Sequence, residues 1–262
     1  MNFVGRHILS VDQFARADIE RVFTVADTMR PYALRQKVTR VLEGAILGNM
    51  FFEPSTRTRV SFGCAWNLLG GEVRETTGIK ASALAKGESF YDTARVLSGY
   101  SDLIVMRHEK SGSVAEFAAA SRVPVINGGD GANEHPSQAL LDLYTISREL
   151  ADHGKTVDGM TIALVGDLRY GRAVHSLCKL LAAYQGIQFS LISPEALKLP
   201  VAYVELLRKQ GHEVVESDAL PTGIQRADIV YVTRTQEERF ETPEDAQRYK
   251  GCLLYTSPSP RD

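Results

Sequence analysis

Short apolar runs and helical stripes alternate along the chain. Runs with the character of buried strands fall at 45–52, 72–76, 102–108, 123–127, 160–166, 187–192, 213–216 and 228–233. Between them, apolar residues recur at helical spacing. Val60, Cys64 and Leu68 make one such stripe, closed by Gly70 and Gly71. Phe90, Ala94 and Leu97 mark a helix within 89–99, and a further helix covers 114–120. Leu140, Leu141, Tyr144 and Ile146 mark the helix at 137–151, and others follow at 171–184, 201–210 and 222–226. Ahead of all these, Ser10-Val11-Asp12-Gln13 has the form of a capping box. In the helix that follows it, Phe14, Ile19, Val22, Phe23 and Ala26 share the buried side. Strand–helix alternation on this scale predicts an α/β protein with parallel sheets in both halves.

His153-Gly154-Lys155-Thr156 is a polar, glycine-containing break, which sets a first domain at 1–152 and a second at 153–250. Near the end, Thr242-Pro243-Glu244-Asp245 is a well-formed helix start, but the helix barely reaches Tyr249. Residues 251–262 then break every pattern, and the expectation is a non-native tail behind an incomplete second domain.

Charge narrows the partners. Thirty basic residues against 32 acidic ones leave a net charge of -2, which gives no global pull toward nucleic acid or membranes. Any anion site must therefore be a local concentration of donors. The three cysteines form no metal-like cluster with histidine, and Cys64 and Cys178 read as core. With no charged-then-apolar leader and no long apolar run, the expected location is the cytoplasm.

The densest set of donors is Ser55-Thr56-Arg57-Thr58, where the strand ending at Phe52 turns into a helix. Unpaired N–H groups and the positive end of the helix dipole favour an anion there. Three hydroxyls and a guanidinium add side-chain donors, and Arg grips a phosphate with two parallel bonds. An ordinary helix cap would need only one such residue. Arg107 ends an apolar strand, where a basic group could face a ligand or solvent equally well. His135 stands at a helix entrance, with Gln138 one turn in. The run at 165–172, which follows a strand and opens a helix, lacks the glycine spacing of a dinucleotide loop. Loop 77–88, with Ser82 and Lys86, has no clear period and is long enough to be functional.

Taken in order, S-T-R-T-R at 55–59, G-D-G-x-x-x-H-P-x-Q at 129–138, G-D-L-x-Y-G-R at 166–172 and R-x-Q at 234–236 resemble the aspartate/ornithine carbamoyltransferase family. The resemblance spans about residues 1–250. It implies that Ser55, Thr56, Arg57, Thr58, Arg107, His135 and Gln138 bind carbamoyl phosphate. Ser82 and Lys86 are implied to reach the site of a neighbouring subunit, in a homotrimer with shared sites. Arg172, Arg234 and Gln236, joined by Lys86, are implied to hold aspartate. Two carboxylates suit two arginines, whereas the cationic side chain of ornithine would be badly served by them. Arg57, Thr58, Lys86, Arg107 and His135 would do the catalytic work by positioning and electrostatics, without metal or organic cofactor. The resemblance is compatible with regulatory partner chains. It also implies an H-P-L-P-R loop, which this chain does not carry where its tail begins. A non-catalytic fragment or homologue that binds phosphate-bearing ligands is the alternative reading.

Overall fold

A computed structural model describes residues 2–78, 87–220, 224–240 and 242–249. Ser82, Lys86, the start of the expected 222–226 helix and the 251–262 segment lie outside the described residues. The chain divides into two compact units, Met1–Gln138 and Ala139–Asp262. The division falls near the start of a helix, Pro136–Asp152.

In the first unit, strands β1 (Ile46–Phe51), β2 (Glu72–Thr77), β3 (Leu103–His108) and β4 (Val125–Asp130) form a parallel sheet in the order β2-β1-β3-β4. Helices α1 (Arg16–Ala33), α2 (Thr56–Leu68), α3 (Phe90–Leu97) and α4 (Ser113–Ala120) accompany it, and α5 is the helix Pro136–Asp152. The central strands are apolar because helices cover both faces of a parallel sheet. Met50, Ile104 and Met106 pack on one side with Phe117 of α4, while Leu47, Phe51 and Val105 meet Phe62 and Trp66 of α2 on the other.

The second unit repeats the scheme with β5 (Thr161–Gly166), β6 (Gln188–Ile192), β7 (Glu213–Ser217) and β8 (Ile229–Thr233), parallel and ordered β7-β6-β5-β8. Helices α6 (Arg172–Leu181), α7 (Val201–Lys209) and α8 (Pro243–Tyr249) belong here. Both sheets thus have four parallel strands among the described residues, as the strand–helix alternation predicted. Each order reverses once, between β1 and β3 and between β5 and β8. In open parallel sheets, ligands sit beyond the carboxyl ends of strands at such a reversal.

Several local expectations need correction. The capping box at Ser10 closes only a 3-10 turn, Val11–Gln13. The long helix α1 starts later, where Asp18 accepts the Ala15 N–H at 3.0 Å. Val22 and Ala26 of α1 are only half-buried, unlike Ile19 and Phe23. The stripe expected in α2 faces the other way: Val60 is 44% exposed and Cys64 is exposed, so Cys64 is not core. The inward face is Arg59, Phe62, Gly63 and Trp66, spaced as one helical stripe but disguised by its arginine and glycine. Strand β4 runs past the expected end at Asn127 through Gly128, Gly129 and Asp130, beside β3 with one register shift. Of the stripe expected in α5, Ile146 is buried but Leu141 is exposed, and Leu143 and Leu150 are buried in its place.

Candidate active site

The first group of candidate residues lies at the β1–β3 reversal. Phe51 and Arg107 are register partners, and the Phe52 N–H donates to the Arg107 carbonyl at 2.9 Å. That bond keeps the exits of β1 and β3 together, so the chain leaving β1 turns into α2 directly beside Arg107. Ser55 is the N-cap of α2, with φ -161 and ψ 89, and its side chain makes no capping hydrogen bond. No acidic residue stands in the first turn to offset the helix dipole. Thr56 and Arg57 are exposed, and Ser55 and Thr58 are half-buried. The turn therefore presents N–H groups, hydroxyls and a guanidinium outward, as an anion site requires.

Arg107 is held rather than solvated: its side chain is 11% exposed, with Nε 3.2 Å from Glu53 Oε2. Its NH1 group donates to the Gly128 carbonyl on β4 at 3.3 Å. The 128–135 segment is braced by Asp130, which is buried. Asp130 accepts from the Asn127 amide, the Glu134 N–H, the Gly112 N–H and the Asn133 amide at 2.9–3.1 Å. Glu134 in turn accepts from the Ser10 hydroxyl at 3.0 Å and the Val11 N–H at 3.4 Å. His135 follows and is buried. Its Nδ1 faces the Gln138 N–H at 3.4 Å and the Ser137 hydroxyl at 3.4 Å. A neutral imidazole that accepts at Nδ1 carries its proton on Nε2, the form that donates to an oxygen. Ser55, Thr56, Arg57, Thr58, Arg107 and the segment leading to His135 and Gln138 are thus brought to one edge of the first sheet.

The second group lies at the β5–β8 reversal, where Gly166 and Thr233 are register partners. Gly166 has φ +116, and a Cβ there would stand 2.1 Å from the Thr233 carbonyl oxygen, so only glycine fits. The next residue, Asp167, is completely buried. One of its oxygens accepts from the Tyr170 N–H and the other from the Gln236 N–H, both at 2.9 Å. One carboxylate thereby ties the loop after β5 to the loop after β8. Arg172 opens α6 and is buried, whereas Arg234 is exposed and donates to the Thr235 carbonyl at 3.0 Å. The Gln236 amide donates to the Arg234 carbonyl at 3.2 Å. Arg172, Arg234 and Gln236 therefore share one edge of the second sheet.

Two family models match the chain. One describes an aspartate/ornithine carbamoyltransferase carbamoyl-P binding domain and covers residues 6–148. The other, the Asp/Orn binding domain of the same family, covers residues 158–255. The chain belongs to the aspartate/ornithine carbamoyltransferase family.

Within that family, the chain is 71% identical over 251 residues to an aspartate carbamoyltransferase catalytic subunit of Saccharophagus degradans. The match covers 96% of this chain and 74% of that protein. A corresponding subunit of Cellvibrio japonicus is 65% identical over the same shares. Among solved structures, the catalytic subunit of M. jannaschii aspartate transcarbamoylase superposes with a TM-score of 0.84 at 43% identity, covering 94% of this chain and 79% of that one. Aspartate transcarbamoylase from Trypanosoma cruzi, in complex with carbamoyl phosphate and aspartate, gives 0.85 at 41% identity, with 94% and 77% covered. Among the described residues, no helix of this family member is long and apolar enough to cross a membrane.

Glu53, Asp130, Glu134 and Asp167 hold the candidate residues in place without being among those expected to touch substrate. Each is an acid inside or beside a motif, half-buried at Glu53 and buried at the other three. Carboxylates are rarely buried unless paired, so an acid at a strand end beside glycine was the available signal at Asp130 and Asp167.

Proposed function

We propose that the chain transfers the carbamoyl group of carbamoyl phosphate to the amine of L-aspartate. The products are N-carbamoyl-L-aspartate and phosphate, a step of pyrimidine biosynthesis. The observation that carries this reading is the pair of strand-end residue groups, taken as the two substrate clefts. One presents the Ser55, Thr56, Arg57 and Thr58 donors beside Arg107. The other bears Arg172, Arg234 and Gln236 around the Asp167 brace.

In the first cleft, Ser55, Thr56, Arg57, Thr58 and Arg107 bind the phosphate group. Thr58, Arg107 and His135 donate to the carbonyl oxygen as attack by the amine gives it charge, and Gln138 holds the carbamoyl end. In the second, Arg172 and Arg234 take the two carboxylates of aspartate, with Gln236 beside them. No base–nucleophile pair is needed for this chemistry. Two anions are held against their own repulsion, and preorganised donors meet the charge of the transition state. The amine nitrogen forms its bond to the carbonyl carbon, the carbon–oxygen bond to phosphate breaks, and the amine proton passes to the departing phosphate.

Ser82 and Lys86 complete the phosphate cleft of a neighbouring copy in a homotrimer, with Lys86 also touching aspartate. Two parents, Arg57→Ala and Lys86→Ala, each inactive alone, then regain part of their activity when their subunits are mixed. Verified mixed trimers without activity would refute sharing. The assignment of the clefts is tested by steady-state kinetics. Arg57→Ala should cut turnover by roughly 10²–10³. Arg172→Ala should raise the KM for aspartate and leave that for carbamoyl phosphate nearly unchanged. Equal effects of both substitutions on both substrates would refute the division.

A further inference from the structure

The proposed reaction makes no use of one polar cluster in the first unit, in which a buried asparagine meets a half-buried arginine and an exposed glutamate. Asn49 lies in the middle of β1 with none of its surface exposed. Its amide nitrogen donates to the Arg59 carbonyl at 3.0 Å and to Glu75 Oε1, on β2, at 2.8 Å. The Glu75 carboxylate is also ion-paired with the Arg59 guanidinium. Two acceptors on the same side fix the amide's orientation, because a flipped amide would set its oxygen against both. Asn49 Oδ1 is then buried with no hydrogen-bond partner among the described residues. Burying an unpaired acceptor is unfavourable, so stability alone does not account for an asparagine here.

Arg59 is where this cluster meets the anion-binding turn. Its N–H donates to the Ser55 carbonyl at 3.2 Å, closing the first turn of α2. Its carbonyl takes the Asn49 amide, and its guanidinium takes Glu75. One residue thus attaches the start of α2 to β1 and to β2 at once. Gly63, one turn later, lies over the pair: a Cβ there would sit 3.5 Å from Glu75 Oε1 and 3.8 Å from Asn49 Nδ2.

We infer that Arg59 is a positioning residue for the anion-binding turn, gripped by Asn49 and Glu75 so that the donors of residues 55–58 hold their phosphate geometry. The inference rests on the reading of that turn as a phosphate site. Its rival is that Arg59 acts only as a nearby positive charge. The two differ in sign at Glu75. If the charge of Arg59 were all that mattered, removing the neighbouring negative charge would strengthen anion binding. If Glu75 holds the turn in place through Arg59, removing it weakens binding.

The test is calorimetric titration of the full chain with inorganic phosphate, alongside Arg57→Ala, Arg59→Met, Arg59→Lys, Glu75→Gln and Glu75→Ala, each checked for a cooperative melt. Loss of position at an otherwise intact site should weaken phosphate binding roughly 10-fold in Arg59→Met and Glu75→Ala. Glu75→Gln keeps the shape and one acceptor, so it carries the test if the alanine variant does not fold, and it too should weaken binding. Arg59→Lys, which keeps one ion pair, should recover part of the loss. Tighter or unchanged binding in folded Glu75 variants, with Arg57→Ala still weakened, overturns the positioning role alone. Equal binding by the parent and Arg57→Ala overturns the phosphate reading of the turn, and this inference with it.

Discussion

Glu53 Oε2 stands 3.2 Å from Arg107 Nε, so a carboxylate from the end of β1 holds the guanidinium at the end of β3. The arrangement puts a negative charge against the residue proposed to meet carbamoyl phosphate. Arg107 is thereby ordered before ligand arrives, and the half-buried carboxylate depends on it as a partner.

Replacing Arg107 with methionine should therefore act twice. It removes a donor to the developing oxyanion, which costs roughly 10²–10³ in turnover. It also removes the guanidinium that stands between the Glu53 charge and the anion. In the Glu53→Gln background, the same replacement should cost less, because the repulsion is gone. Rates for the four proteins of this cycle check the claim, and strict additivity would contradict it.

Asp167 joins two loops through backbone donors, so its loss should register in stability as well as in aspartate binding. Asp167→Ala leaves the Tyr170 and Gln236 N–H groups without their acceptor. Both donors are only partly buried, so at about 1–3 kcal/mol for each unpaired donor the expected loss is at most about 2–6 kcal/mol. Urea unfolding measures it as a lower midpoint at unchanged slope. An unchanged midpoint would show that the loops are held by other contacts.

Besides His135, three histidines accept a backbone N–H at Nδ1: His7 from Val125 at 3.0 Å, His108 from Lys110 at 2.9 Å and His212 from Ile187 at 3.2 Å. Burial lowers the pKa of each below the ordinary imidazole value, and protonation at Nδ1 would abolish the bond. At His108, Glu109 and Glu53 oppose that lowering and Lys110 adds to it. With folded pKa values depressed, the unfolded chain binds more protons just below the ordinary value of about 6.5. The stability they contribute is fully present above that pH and is lost as pH falls through the folded values. Denaturation midpoints should fall between about pH 7.5 and pH 5.5, and His108→Gln should flatten the decline. A midpoint independent of pH across this window would contradict the assignment.

The elements and the motifs were largely legible along the chain, because both are local. A strand end carrying Ser55, Thr56, Arg57 and Thr58 is contiguous in sequence, and so is the run to His135 and Gln138. What escaped was pairing over distance. Nothing near Glu53 in sequence points to Arg107, and nothing near Asp167 points to the Gln236 N–H. The error at α2 has the same origin. A stripe of Val60, Cys64 and Leu68 looks more apolar than Arg59, Phe62, Gly63 and Trp66. Yet Asn49 and Glu75 on neighbouring strands turn the arginine side inward. The apolar pattern correctly located the helix and misjudged its rotation.

A phosphate site at residues 55–58 and Arg107 joined to a dicarboxylate site at Arg172 and Arg234 requires aspartate, not ornithine, as the acceptor. The decisive experiment is a comparison of initial rates of carbamoyl transfer from carbamoyl phosphate, with aspartate and with ornithine supplied in parallel as acceptors. Aspartate should give N-carbamoyl-aspartate and phosphate in equal amounts, and ornithine no transfer above background. Equal or faster use of ornithine would contradict that requirement.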